Sequence, residues 1–181
     1  MPFELGEEYL GTWEPFVFDK ELDKQVWIRI RPLTEAHNEK VQKKYGRYKM
    51  NKRQGVRQRH VPAKNQKAVG EENIIFMLTG ARNFHIRVTN EATASFFGER
   101  LKKEYKVGDI VELPEDLWHP YDLDPKAPRP FDEIKQMMIQ QDVRISSKVI
   151  DVGMSTDDEA VEIDIDEARQ QEEQEKELTK N

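Results

Sequence analysis

The sequence contains no cysteine among its 181 residues. Disulfide bridges, thiolate zinc sites, cysteine nucleophiles and thiol redox centres are therefore excluded. It also lacks an apolar run long enough to span a bilayer, and its acidic start, MPFELGEEYL, has neither the basic nor the apolar region of a signal peptide. We therefore expect a soluble protein of the cytoplasm that does not contact a membrane.

Motifs for catalysis and phosphate binding are missing as well. None of the four serines lies in a GxSxG elbow, and no glycines have the spacing of a dinucleotide-binding or P-loop motif. The four histidines are more than twenty residues apart. The one local group that could hold a metal, His119 with Asp122 and Asp124, is typical of a turn. The sequence therefore predicts no enzyme, no cofactor and no metal site.

The charges that are present lie in blocks. Residues 40–67 carry eleven Lys and Arg and no Asp or Glu, whereas residues 155–181 carry three basic and eleven acidic residues. Unopposed cations at this density repel one another, so the basic segment needs an anionic partner or a solvated form. The acidic C-terminal segment, an acidic protein and a nucleic acid are the candidate partners.

Hydrophobic periodicity predicts an α+β fold that begins with a β-hairpin. Aromatic β-formers near residues 13–18 mark its first strand, and Val26, Ile28 and Ile30 alternate with polar or amphipathic residues in its second. Thr34 is expected to cap a basic helix over about residues 34–48. Residues 49–70 show no period, which favours a long loop or a disordered arm.

The remainder predicts a small mixed core. We expect helices near residues 71–78, 90–107 and 131–141, and short strands near 84–88 and 109–113, whereas periodicity leaves residues 143–152 as either helix or strand. Residues 1–154 would form one small α+β domain that contains the basic helix and arm at about residues 40–67. Residues 155–181 would be an acidic tail that is disordered or binds a partner.

Two sets of residues are candidates for binding. Protein contacts are expected at aromatic residues of the hairpin and at apolar anchors within the acidic tail, namely Trp13, Phe16, Trp27, Val161, Ile163 and Ile165. Nucleic acid would instead use cations and stacking rings of the basic segment, namely Lys43, Lys44, Arg47, Lys49, Lys52, Arg53, Arg57, Arg59, Tyr45 and Tyr48. The acidic overall composition, with a pI near 5.4, favours the protein partner.

One stretch resembles a known group of proteins. The segment VWIRIRPLTEAHNEKVQKKYGRYK, residues 26–49, is similar to the opening of small tail-assembly chaperones and related accessory proteins of long-tailed bacteriophages. Residues Arg31 to Glu35 carry the match, because those proteins follow a strand with an RPLT phrase and a charged helix. The resemblance implies a non-enzymatic protein, in the host cytoplasm or the virion, that handles other structural or assembly proteins. Self-association and nucleic-acid binding with an autoinhibitory tail remain alternatives.

Overall fold

A computed structural model describes residues 9–120, 124 and 126–154 of the chain. Its elements are, in order, β1 Thr12–Asp19, β2 Lys24–Ile30, α1 Glu35–Tyr45, β3 Arg47–Asn51, β4 Val56–His60, α2 Ala63–Met77, β5 Leu78–Arg82, β6 His85–Arg87, α3 Glu91–Leu101, β7 Ile110–Glu112, α4 Pro130–Gln141 and a further helix, α5, over residues 143–154. The antiparallel strands and the helices confirm the α+β class and the N-terminal hairpin.

The central sheet has the antiparallel order β1, β2, β5. Val26, Ile28 and Ile30 are at most 5% exposed on the inner face of β2, as their alternation predicts. The register of β1 against β2 shifts between Pro15 and Val17, which is a β-bulge on an edge strand. The free edge of β5 is occupied by residues 115–117, because the Ala81 amide donates to Glu115 and the Leu117 amide to Thr79.

The hydrophobic core lies between the inner face of this sheet and the helices. Residues of α2, α3, α4 and α5 join those of β2 and β5 in one buried cluster, which includes Ile28, Met77, Phe97, Ile134 and Val149. A short antiparallel pair of β6 and β7, which α3 separates in the chain, contributes Val111 to the same cluster. Burial of these apolar side chains supplies the main driving force for folding.

Side-chain caps fix the starts of two helices. Thr34 accepts a hydrogen bond from the amide of His37 at the start of α1, and Asn90 accepts one from the amide of Thr93 at the start of α3. Each bond satisfies an amide that the first helical turn leaves without a partner. The Thr34 cap is as predicted, and of the two candidate caps for the helix near residue 90, Thr89 and Asn90, the structure has Asn90.

The basic segment is more ordered than its sequence indicates. The prediction of a loop or disordered arm over residues 49–70 is wrong, because β3 and β4 form a two-stranded hairpin and α2 already begins at Ala63. The predicted helix over residues 34–48 ends at Tyr45, where Gly46 opens the hairpin. Periodicity missed the hairpin because neither of its faces is buried, so its residues carry no apolar alternation.

Two further boundaries differ from the prediction. Leu78, the last residue of the helix expected over residues 71–78, already belongs to β5, and the helix expected over residues 90–107 ends at Leu101, where Lys102 caps it with a left-handed φ of 56°. Residues 143–152, left as either helix or strand, are helical and belong to α5. The core therefore contains four helices after α1 rather than three.

Candidate interaction surfaces

Two tryptophans lie on the outer face of the sheet. In the β1–β2 register Trp13 is opposite Arg29 and Pro15 is opposite Trp27, while β5 places Arg82 opposite Trp27 on the other side. Paired residues share one side of a sheet, so these side chains form one surface. Phe18, which pairs with Gln25, extends it and is 52% exposed. We call Trp13, Phe18, Trp27, Arg29 and Arg82 the tryptophan face.

Two guanidinium groups contact the Trp13 ring. The ring centroid is 5.1 Å from Cζ of Arg29 and 4.4 Å from Cζ of Arg82, which are cation–π distances. Both arginines form salt bridges with carboxylates that follow β7 in the chain. Arg29 lies 2.7 Å from Asp116, and Arg82 lies 2.8 Å from Glu115. The Trp13 ring therefore lies within cation–π distance of two arginines that carboxylates orient.

A glycine makes room for this arrangement. A Cβ atom built on Gly80 would lie 2.6 Å from the carbonyl oxygen of Glu115 and 3.1 Å from Cη2 of Trp13. The first distance is shorter than a van der Waals contact allows, so only glycine lets residues 115–117 and the Trp13 ring approach β5 together. The sequence alone does not reveal this role of Gly80, because Trp13 and Glu115 are distant from it along the chain.

Phe16, the third predicted aromatic of the hairpin, does not share the tryptophan face. It lies at the bulge and packs against the hydrophobic core, with its ring centroid 5.8 Å from Cζ of Arg144 on α5. Phe16 follows Thr12 and Glu14 in the alternation of β1, and those two residues pair with the inner residues Ile30 and Ile28. Alternation therefore places Phe16 on the inner side, and the bulge moves Phe18 to the outer side, opposite Gln25. Trp13 and Trp27 are thus brought together, and Phe16 supports the sheet from beneath.

The hairpin of β3 and β4, residues 47–60, forms a second surface that we call the basic ribbon. Tyr48, Met50 and Val56 are each more than half exposed, and every β4 residue is exposed. The strands mainly contact each other, so the ribbon projects from its base. At that base α1 and α2 are joined, because Lys44 and the Tyr45 hydroxyl both bond to Glu72.

The two faces of the basic ribbon differ. The pairs Arg47–His60 and Lys49–Gln58 lie on one face, and the pairs Tyr48–Arg59 and Met50–Arg57 lie on the other. On the second face the Arg59 guanidinium lies 4.9 Å from the Tyr48 ring centroid and donates to its hydroxyl. Seven of the ten residues predicted to bind nucleic acid belong to the ribbon and its turn, namely Arg47, Tyr48, Lys49, Lys52, Arg53, Arg57 and Arg59.

The other three lie on α1. Lys43 is 3.8 Å from Glu39 of its own helix, and Glu72 binds Lys44 and Tyr45. The hydrogen bonds with Glu72 raise the pKa of Lys44 and also that of the Tyr45 hydroxyl. These contacts join α1 to α2. Lys44 and Tyr45 are therefore already bound to Glu72 and are not available to a nucleic acid. The remaining predicted anchors, Val161, Ile163 and Ile165, lie outside the described residues.

Sequence reasoning did not select the arginines and carboxylates of the tryptophan face. Arg29 was visible as an outward residue in the alternation of β2, but nothing local indicated that Asp116 is its partner. Their ion pair spans 87 positions and depends on residues 115–117 lying along β5. Only the tertiary fold carries that information.

No cluster of three histidine, aspartate or glutamate side chains suited to a metal ion occurs among residues 9–120, 124 and 126–154. Within the same part of the chain no helix combines the length and the apolar character that a bilayer crossing requires. Comparison with protein-family models, with curated proteins and with solved structures found no match to this chain.

Proposed function

We propose that this chain is a non-enzymatic interaction protein of bacteriophage tail assembly that binds another structural or assembly protein through the tryptophan face. The observation that carries the proposal is the contact of Trp13 with both Arg29 and Arg82 on a partly exposed sheet surface that also holds Trp27. Tryptophan and arginine are the residues most enriched where protein interfaces derive their affinity. Ordered side chains also lose less entropy on binding than mobile ones do.

The surroundings of the RPLT phrase support the phage assignment. The phrase joins β2 to α1, so the strand and the charged helix follow one another as in the proteins that the sequence resembles. The positive charge of the basic ribbon would favour an acidic partner over a basic one. An acidic partner protein would meet cations there and no carboxylate, and such complementarity governs orientation and association rate more than affinity.

The proposal is tested in the phage genome that encodes the chain. We expect inactivation of the gene to yield heads without tails, and a plasmid-borne wild-type copy to restore tailed particles in electron micrographs. The variant Trp13→Ser/Trp27→Ser should fail to restore them, whereas Val143→Ser, which removes a 75% exposed apolar residue from α5, should restore them fully. Circular dichroism of each purified variant checks that it folds. Normal numbers of tailed particles after gene inactivation would contradict the proposal.

A second candidate function is nucleic-acid binding by the basic ribbon, with the acidic tail as inhibitor. One observation favours it: the cations lie on an exposed two-stranded hairpin, a shape that the major groove of DNA admits. If its six Lys and Arg each neutralise one phosphate, affinity should fall about a thousandfold between about 50 and 200 mM salt.

Fluorescence anisotropy with labelled duplex DNA tests this second candidate. Replacing Arg47, Lys49, Arg57 and Arg59 with glutamine should abolish binding, whereas the same change at Lys102, Lys103, Lys106 and Lys126 controls for net charge. Neutralising the acidic residues of 155–181 in the full chain should strengthen binding, because a competing polyanion is removed. Absence of binding at low salt for both the wild type and the tail-neutralised chain would eliminate this function.

A further inference from the structure

The basic ribbon leaves one edge of β3 open. Among the described residues, β3 forms backbone–backbone hydrogen bonds with β4 alone, and no other strand joins this sheet. Every second residue of β3 therefore directs its amide and carbonyl groups away from β4. A two-stranded hairpin is marginally stable by itself, and a third strand stabilises it. The open edge of β3 is thus a site at which an extended segment of chain can bind.

The residues of β3 alternate in chemistry along this edge. Arg47 and Lys49 lie on one face of the ribbon, and Tyr48 and Met50 lie on the other. All four are exposed, and neither cation has a carboxylate partner within the described part of the chain. In β4 the two arginines share the face of Tyr48 and Met50, so charge and apolar surface are not separated there. A strand beside β3 would therefore meet positive charge on one face and apolar surface on the other.

One segment of the same chain has the complementary alternation. Residues 161–166, which lie outside the described residues, have the sequence VEIDID. In a strand, the apolar residues of this segment would occupy one face and its carboxylates the other. Beside β3 the apolar residues would adjoin Tyr48 and Met50, and the carboxylates would adjoin Arg47 and Lys49. Both kinds of neighbour stabilise a pair of strands.

The end of α5 lies close enough for this segment to reach β3. The Leu33 amide donates to the carbonyl of Gly153, so α5 ends beside the residues that lead into α1. Helix α1 has eleven residues, which makes it about 16 Å long, and it ends at Gly46 at the base of the ribbon. Residues 155–160, when extended, span about 20 Å. Val161 therefore reaches the base of β3 first, which favours a strand parallel to β3.

We propose that residues 161–166 bind the open edge of β3 in the same chain as a third, parallel strand of the basic ribbon, with Val161 beside Tyr48 and Glu162 beside Lys49. The short connection favours binding within one chain over binding between copies, because it keeps the effective concentration of the segment high. An acidic protein or a nucleic acid that binds these cations must displace the segment. The site shares no residue with the tryptophan face, so failure of the tail-assembly test would leave this proposal unaffected.

Amide hydrogen exchange of the full chain, read by mass spectrometry, tests the contact. Ordering the segment offsets most of the energy gained, so we expect a bound-to-free ratio of about three, which adds about 0.8 kcal/mol to the free energy of unfolding. Exchange of residues 161–166 should then be about fourfold slower than in a free peptide of the same sequence.

Two variants with the same net charge show whether the edge of β3 is required. Arg47→Gln/Lys49→Gln should remove the slowing of exchange, because the cations beside the added strand are lost. The matched variant Lys52→Gln/Arg57→Gln takes two charges from the turn and β4 and should keep it. Equal loss in both variants would show a diffuse attraction between opposite charges without a defined strand, and would overturn the proposal.

Disulfide formation tests the position and the source of the added strand. The chain has no cysteine, so only an introduced pair can form a cross-link. Met50 and Val56 are both 53% exposed but lie on opposite strands of the ribbon. We expect Met50→Cys/Ile163→Cys to form a disulfide within one chain about fivefold or more faster than Val56→Cys/Ile163→Cys, because only β3 adjoins the added strand. Equal rates, or disulfides between two copies, would overturn the proposal.

Discussion

Trp13 and Arg29 are opposite each other on β1 and β2, and the Arg29 guanidinium lies 5.1 Å from the centroid of the Trp13 ring. The same guanidinium donates to the hydroxyl and the carbonyl of Thr79 and to Asp116, so one side chain joins three parts of the chain. The outer face of the sheet is thus ordered by a residue that is only 12% exposed.

Removing this arginine should destabilise the fold. We expect Arg29→Met to lower the free energy of unfolding by about 1–3 kcal/mol, because the buried Thr79 hydroxyl would lose its donor and the Thr79 carbonyl would keep only the Leu117 amide. The control, Arg87→Met, breaks an ion pair with Glu21 in which both side chains are more than half exposed, and should change stability by at most about 1 kcal/mol. Urea unfolding measures both, and equal effects would contradict the role of Arg29.

Two glycines should respond to alanine in opposite directions. Gly70 lies within α2 with open space around it, so Gly70→Ala should raise the free energy of unfolding by about 0.5–1 kcal/mol. Gly11 has a φ of +93°, and an added Cβ would lie 1.9 Å from the carbonyl oxygen of Ile30. Gly11→Ala should therefore destabilise the fold by more than the first change stabilises it. Thermal unfolding measures the stability of both variants. A less stable Gly70→Ala or an unchanged Gly11→Ala would contradict the prediction.

The sequence predicts elements well where one face of an element is buried. The alternation of Val26, Ile28 and Ile30 located β2, Thr34 located the start of α1, and the pair Thr89 and Asn90 located the start of α3 to within one residue. In each case the signal comes from burial or from a local hydrogen bond, both of which depend on nearby residues. The elements that were missed lack such a signal.

The basic ribbon and the tryptophan face illustrate the two causes of failure. The ribbon has no buried face, so Tyr48 and Met50 show no contrast with their neighbours. The tryptophan face depends on a bulge near Phe16 and on residues 115–117, which lie far away in the sequence. Its two tryptophans could be predicted as candidates, whereas the contacts of Trp13 with Arg29 and Arg82 required tertiary information.

Side chains of the basic ribbon should contribute almost nothing to stability. We expect Tyr48→Ser/Met50→Ser to change the free energy of unfolding by less than about 1 kcal/mol, because both residues are more than half exposed. The reference variant Ile28→Ala empties a fully buried site and should cost about 2–5 kcal/mol. Denaturant unfolding midpoints of the two variants and the wild type measure these changes in stability. A large loss in the ribbon variant would mean that the ribbon contacts the rest of the chain.

The last prediction concerns Lys135, whose side chain is 4% exposed beneath α2. Burial lowers the pKa of this lysine to about 8, although Asp132 at 3.5 Å partly opposes the shift. The nearby cations Arg31 and Arg129 lower it further. In the unfolded chain the same lysine has its ordinary pKa of about 10.4. Between these two values the unfolded state therefore binds more protons than the folded state.

Stability must then rise with pH across that interval, because the folded chain no longer has to bury a charged ammonium. From about pH 7.5 to 9.5 the free energy of unfolding of the wild type should gain about 2 kcal/mol relative to Lys135→Met, which has no group to titrate. Tyr45 and Tyr105, whose pKa values are raised, act at higher pH and equally in both proteins. Urea unfolding at the two pH values measures the difference. A constant difference would show that Lys135 keeps its ordinary pKa and is solvated in the folded chain.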